Sequence, residues 1–136
     1  MTVSGLNHIT LATSELDRSV IFYRDVLGCR LRAKWSAGAY LEMGEVWLCL
    51  SLDPAARVEP HPDYTHLALS TAPEAFAEMK DRLTASARIW KDNRSEGDSV
   101  YFLDPDGHKL ELHSGTLDSR LAAMRKNPPQ GYEAFD

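Results

Sequence analysis

Asn7-His8-Ile9-Thr10-Leu11 and Thr65-His66-Leu67-Ala68-Leu69 are two versions of one stretch: a polar residue, a histidine, then apolar residues at alternate positions. Alternation of period two reads as a strand with one buried face, here about residues 6–12 and 64–70. A helical pattern follows each. After the first, Ser14 offers an N-cap with acidic Asp17 at N3, and Leu16, Val20, Tyr23 and Leu27 recur at helical spacing before a stop at Gly28. After the second, Thr71 and Glu74 read as a capping box for a helix running through Phe76, Met79 and Leu83. Three strand segments then complete each copy. The first copy has 29–35, 38–43 and 45–52, with a tight turn at Gly44. The second has about 87–91, 99–103 and 108–114, the last two joined by Asp104-Pro105-Asp106-Gly107.

Each half is therefore β-α-β-β-β. The pattern predicts one α+β domain over residues 1–136: module one at about 5–52, a proline- and charge-rich linker at 53–63, and module two at about 64–114. A tail, 115–136, carries a C-terminal helix at about 117–126 that ends before Pro128-Pro129. Two such half-sheets enclose a concave face, and their open edges predict a homodimer. The 136 residues suffice for one core and are too few for two ordinary domains. A net charge of −5 supplies no basic face, so no nucleic-acid partner is expected. No apolar run approaches the ~18 residues of a membrane span and no secretory leader pattern opens the chain, so the expectation is a cytoplasmic protein with no membrane partner. Cys29 and Cys49 lack metal-knuckle spacing and read as reduced thiols.

Alternation also says which side chains share a face. His8 and Thr10 lie opposite Ile9 and Leu11, His66 and Ala68 lie opposite Leu67 and Leu69, and Lys109, Glu111 and His113 lie opposite Leu110 and Leu112. Aligning Trp47-Leu48-Cys49-Leu50 with Lys109-Leu110-Glu111-Leu112 makes Cys49 the repeat partner of Glu111. One strand histidine is ordinarily structural. Two at equivalent positions, with a carboxylate on the same inferred face, make a candidate site for Mn²⁺, Fe²⁺, Zn²⁺ or Ni²⁺ with positions left open for substrate. His61, His108 and His113 have no such partners and read as structural. By themselves Lys91 and Arg120 read as solvated charges, and Asn93-Arg94-Ser95-Glu96-Gly97-Asp98 reads as a turn.

Several stretches carry a resemblance: Gly5-Leu6-Asn7-His8, Gly38-Ala39-Tyr40-Leu41, Trp47-Leu48-Cys49-Leu50, Asp63-Tyr64-Thr65-His66, Asn93 through Ser99, and Phe102-Leu103-Asp104-Pro105-Asp106-Gly107-His108. Over about residues 5–125 the chain resembles the fosfomycin-resistance glutathione transferases of the vicinal oxygen chelate (glyoxalase, bleomycin-resistance and dioxygenase) superfamily. The resemblance implies Mn²⁺ on His8, His66 and Glu111, and a phosphonate pocket of Thr10, Lys91, Ser95, Ser99, Tyr101 and Arg120. It implies K⁺ in the loop of Asn93, Ser95, Glu96, Gly97 and Ser99. Tyr40 falls near the thiol substrate, with Tyr40 and Thr10 as catalytic candidates; Trp47, Cys49 and Tyr64 line the remaining wall. The implied reaction is metal-dependent addition of glutathione to the epoxide of fosfomycin, in a domain-swapped dimer that joins ligands from two chains. Competing readings are an epoxide hydrolase with Glu42 or Glu45 as base, a transferase for bacillithiol or cysteine, a glyoxalase, an Fe²⁺ dioxygenase, and a non-catalytic drug-binding protein.

Overall fold

The computed structural model describes residues 2–135. Strand β1 (His8–Thr13) leads into helix α1 (Leu16–Ile21), which continues as a π-helical turn over Phe22–Val26. Strands β2 (Arg30–Trp35), β3 (Gly38–Met43) and β4 (Val46–Leu52) complete a sheet of order β1-β4-β3-β2. The pattern then repeats. Strand β5 (Leu67–Ser70) precedes a 3₁₀ turn at Pro73–Ala75 and helix α2 (Phe76–Ser86). Strands β6 (Ile89–Lys91), β7 (Asp98–Leu103) and β8 (Lys109–Ser114) make a second sheet of order β5-β8-β7-β6. Helix α3 (Leu117–Lys126) follows, capped by a reciprocal pair of hydrogen bonds between Thr116 and Ser119. The architecture is the expected α+β.

In each sheet the first strand runs parallel to the last, and the other pairs are antiparallel. Register places Thr10, Cys49 and Tyr40 in one row of the first sheet. It places Ala68, Glu111, Tyr101 and Lys91 in the equivalent row of the second. Cys49 thus occupies the position that Glu111 fills in the other module.

The apolar faces of both sheets meet the helices in one shared core. Leu41, Leu48 and Leu50 from the first sheet and Val100, Phe102, Leu110 and Leu112 from the second pack with Leu16, Val20, Phe22, Tyr23, Phe76 and Leu83. A buried polar knot fastens the modules together. Asp106 accepts hydrogen bonds from the Ser14 amide and hydroxyl, the Ser19 hydroxyl and the Arg18 guanidinium. Asp104 accepts from the Tyr23 hydroxyl at 2.7 Å and from the amides of Asp106 and His108. Burial, then the neighbouring Asp104, pushes the Tyr23 phenol well above its ordinary range. Gly107, with φ +83°, closes the turn, and a Cβ there would lie 2.5 Å from the Val58 carbonyl oxygen of the linker.

Three local expectations need correcting. Ser14 does not cap α1; Glu15 holds that position without a side-chain bond, because Asp106 takes both polar groups of Ser14. Thr71 and Glu74 make no capping box. The Thr71 amide instead donates to the His113 carbonyl, extending the sheet, and the helix enters through Pro73 with Ala72 as its cap. Strand β5 is shorter than expected, since Asp63 accepts the Thr65 amide and turns the chain ahead of Leu67.

Burial by itself would raise the Asp106 carboxyl, but the donors of Ser14 and Ser19 more than offset it and hold it below the usual carboxylate range. Its stabilising contribution is therefore complete above an unfolded value of about 4. It is lost as pH falls through the lower folded value. Asp106→Asn, which halves the accepting capacity, should lower stability by about 1–3 kcal/mol at neutral pH and flatten the acid limb. Denaturant titrations from neutral to acid pH check this; parallel curves for the two proteins would remove Asp106 from that role.

Candidate active site

Glu111, in the middle of β8, is only 5% exposed. Its Oε2 accepts from the Ser99 hydroxyl at 2.6 Å, and its Oε1 faces His66 Nε2 at 3.0 Å. His66 Nδ1 lies 2.8 Å from the Tyr64 carbonyl oxygen. A carbonyl only accepts, so Nδ1 carries a proton. Nε2 then faces the carboxylate either as a second N–H donor or as a lone pair open to a metal ion, and in both cases the two groups share one cation. His8 repeats half of the pattern: its Nδ1 is 2.7 Å from Asn7 Oδ1, while its ring stacks on Trp47 with centroids 4.6 Å apart. Both histidines spend Nδ1 on an adjacent oxygen and leave Nε2 to ligate, as metal-bound histidines do. Among the described residues no three His, Cys, Asp or Glu side chains are placed to hold a metal ion together. The chain brings His66 and Glu111 together and carries His8 on its other sheet.

Around Glu111 the second sheet carries a cluster of aromatic side chains. Trp90 sits at an irregularity in β6, donates its indole N–H to the Leu110 carbonyl at 3.0 Å, and packs on Tyr64, His66 and Tyr101. The Lys91 ammonium lies 4.4 Å from the Tyr101 ring centre and 5.4 Å from that of Tyr64. Tyr64 first, then Tyr101 and Glu111, make that ammonium hold its proton more tightly, against the opposing effect of burial. The Tyr101 hydroxyl is 3.5 Å from Ser95 Oγ. Asn93 closes the following loop on itself, donating to the Gly97 carbonyl and accepting from the Ser95 amide and hydroxyl. Arg120, on α3, donates to Glu96 of the same loop at 3.1 Å. Lys91, Ser95, Tyr101, Glu96 and Arg120 thus form one connected rim. The Ser99 hydroxyl bonds to Glu111 and lies against His113 Nδ1.

The equivalent face of the first sheet is open. Tyr40 and Trp47 are 42% and 38% exposed and border a cavity of about 550 Å³ that also touches Arg32, Glu42 and Glu45. Glu42 is held in an ion pair with Arg32. Thr10 is exposed on β1, while Cys49, half-buried beside it, is a free thiol. Nothing in the sequence pattern pointed to Trp90 as a site neighbour. His113 shares the face of Glu111 by alternation, but its partner Ser99 comes from the adjacent strand, through a register that one strand's sequence does not contain.

Residues 5–112 match the family model of the glyoxalase/bleomycin resistance protein/dioxygenase superfamily. The chain belongs to that superfamily. Within it, this member is 52% identical over 132 residues to the glutathione transferase FosA of Serratia marcescens, covering 95% of this chain and 94% of that one. It is 36% identical to the metallothiol transferase FosB of Lysinibacillus sphaericus, over 93% of both chains. Among solved structures it is similar to a mutant of the FosX fosfomycin resistance protein of Listeria monocytogenes complexed with Mn(II) and 1S,2S-dihydroxypropylphosphonic acid. The TM-score there is 0.75 at 26% identity, over 89% of this chain and 99% of that one.

Proposed function

We propose that this protein is a glutathione transferase that opens the epoxide of fosfomycin by thiol addition and so confers resistance to it. Its likeness to FosA supports the reaction class. The observation that carries the metal reading is the meeting of His66 Nε2 and Glu111 Oε1, with Nδ1 held by the Tyr64 carbonyl so that Nε2 is the nitrogen turned to ligate beside the carboxylate. Two imidazoles and a carboxylate suit Mn(II), and the third ligand in this reading is His8 of a second copy. Each chain then supplies two half-centres to a homodimer, in which the open face of the first module is covered by the second module of its partner. The reading places the protein in the cytoplasm, where glutathione is the pooled thiol.

In this mechanism Lys91 and Arg120 hold the phosphonate dianion, while Ser95, Tyr101 and Thr10 supply hydroxyl donors that fix its direction. The loop of Asn93, Ser95, Glu96, Gly97 and Ser99 offers carbonyl, carboxylate and hydroxyl oxygens of the kind a hard cation such as K⁺ takes. Tyr40, Trp47, Cys49 and Tyr64 wall the approach of the thiol, with Tyr40 beside the attacking sulfur. The bound divalent cation supplies Lewis acidity toward the epoxide oxygen. The thiolate of glutathione forms the C–S bond as the C–O bond breaks, and the alkoxide takes up a proton. No protein nucleophile is needed, and among the described residues no side chain hydrogen-bonds to the free Cys49 thiol to activate it.

NMR of products from purified protein, Mn(II), K⁺, fosfomycin and glutathione tests the reading. The expected product is the glutathione adduct. A diol would replace transfer by hydrolysis with Glu42 or Glu45 as base; adducts formed only with bacillithiol or cysteine would change the thiol; unconverted, tightly held fosfomycin would mean sequestration. Arg120→Ala should raise the KM for fosfomycin at least about tenfold, the loss of one charge-assisted contact, with Mn(II) content intact. An unchanged KM would take Arg120 out of the pocket.

A further inference from the structure

Ser99 Oγ lies 2.6 Å from Glu111 Oε2 and 2.6 Å from His113 Nδ1, and a hydroxyl has only one proton to give. An ionised carboxylate accepts only. If the Ser99 proton went to His113, the Ser99 oxygen and Glu111 Oε2 would face each other with lone pairs alone, at a distance that demands a hydrogen between them. The arrangement that satisfies every atom has His113 Nδ1–H donating to Ser99 and Ser99 O–H donating to Glu111. That fixes the His113 tautomer.

The imidazole is held for this task by two glycines. A Cβ on Gly115 would lie 2.5 Å from His113 Nε2, and one on Gly97 would lie 3.0 Å from its Cε1. The His113 side chain is accordingly only 15% exposed. Backbone register sets Ser99 directly across from His113. One oxygen of Glu111 is thereby tied down, and the other is left to face His66.

We infer that His113 is a positioning residue: through Ser99 it holds Glu111 as a one-oxygen ligand, and so sets the protein's affinity for Mn(II). This rests on the reading of Glu111 as a metal ligand. Groups that orient a ligand in this way carry about 10- to 100-fold in metal affinity.

The test is Mn(II) binding to the full chain without substrates, read by the electron paramagnetic resonance of the free ion. Ser99→Ala and His113→Leu should each weaken binding by about 10- to 100-fold. His113→Asn, whose amide N–H can take the place of Nδ1–H, should recover most of that loss. The double variant Ser99→Ala/His113→Leu should bind no more weakly than Ser99→Ala alone, because the two residues act in series. Wild-type affinity in His113→Leu, no recovery in His113→Asn, or full additivity in the double variant would each overturn the inference. Glu111→Ala separates the two layers: if it binds Mn(II) like wild type, the metal site itself is wrong, whereas loss there with none in His113→Leu condemns only the relay. Should His113→Leu fail to fold, Ser99→Ala and His113→Asn still decide, the first by its loss and the second by keeping affinity near wild type.

Discussion

Two buried aspartates in one turn hold this molecule together. Asp104 and Asp106 leave the end of β7 and reach into the start and body of α1, where Tyr23, Ser14, Ser19 and Arg18 donate to them. A carboxylate without donors in the core would cost several kcal/mol, so the turn and the helix must come together or both are left unsatisfied. That coupling points the apolar faces of the two sheets at the same helices and builds one core from both modules. It also decides what remains outside. Each sheet has spent one face on the core, and the opposite faces carry the side chains of the candidate site.

Those two outer faces are not equal. The second sheet packs Trp90 and Tyr101 over its own concave side and buries Glu111 beside them, with Tyr64 exposed at the margin. The first leaves Tyr40 and Trp47 half in solvent beside an open cavity, with Cys49 where its counterpart has a glutamate. The two copies thus share a fold and differ in the side chains on their outer faces, Cys49 against Glu111 and Thr10 against Ala68 among them. One half keeps a carboxylate and the side chains that orient it; the other carries a histidine stacked on an aromatic beside an open cavity. A thiol in place of a carboxylate at Cys49 leaves the metal set at two imidazoles and one carboxylate in the proposed centre.

The element order was legible because period-two and helical patterns are strong in this chain, and Gly28, Gly44 and Gly107 sit where turns of positive φ are needed. The boundaries that escaped were settled by distant partners: Ser14 serves Asp106 rather than its own helix, and Thr71 extends the sheet through His113. At the site, the shared face of Glu111 and its equivalence to Cys49 could be read from alternation and alignment. The contact between Ser99 and His113 could not, since it depends on how β7 registers against β8, and Trp90 reaches His66 only through the irregularity in β6. The pairing of Arg120 with Glu96 depends on where α3 packs, which its own sequence does not encode.

Mixing two inactive variants tests the shared centre most directly. Chains carrying His8→Ala and chains carrying Glu111→Ala would be combined at equal amounts and allowed to exchange, and the conversion of fosfomycin measured. If each centre takes His8 from one copy and His66 with Glu111 from the other, every mixed dimer regains one intact centre. Activity should then rise to about a quarter of wild type from near zero in either parent. A mixture that exchanges subunits yet stays as inactive as its parents would contradict the shared centre.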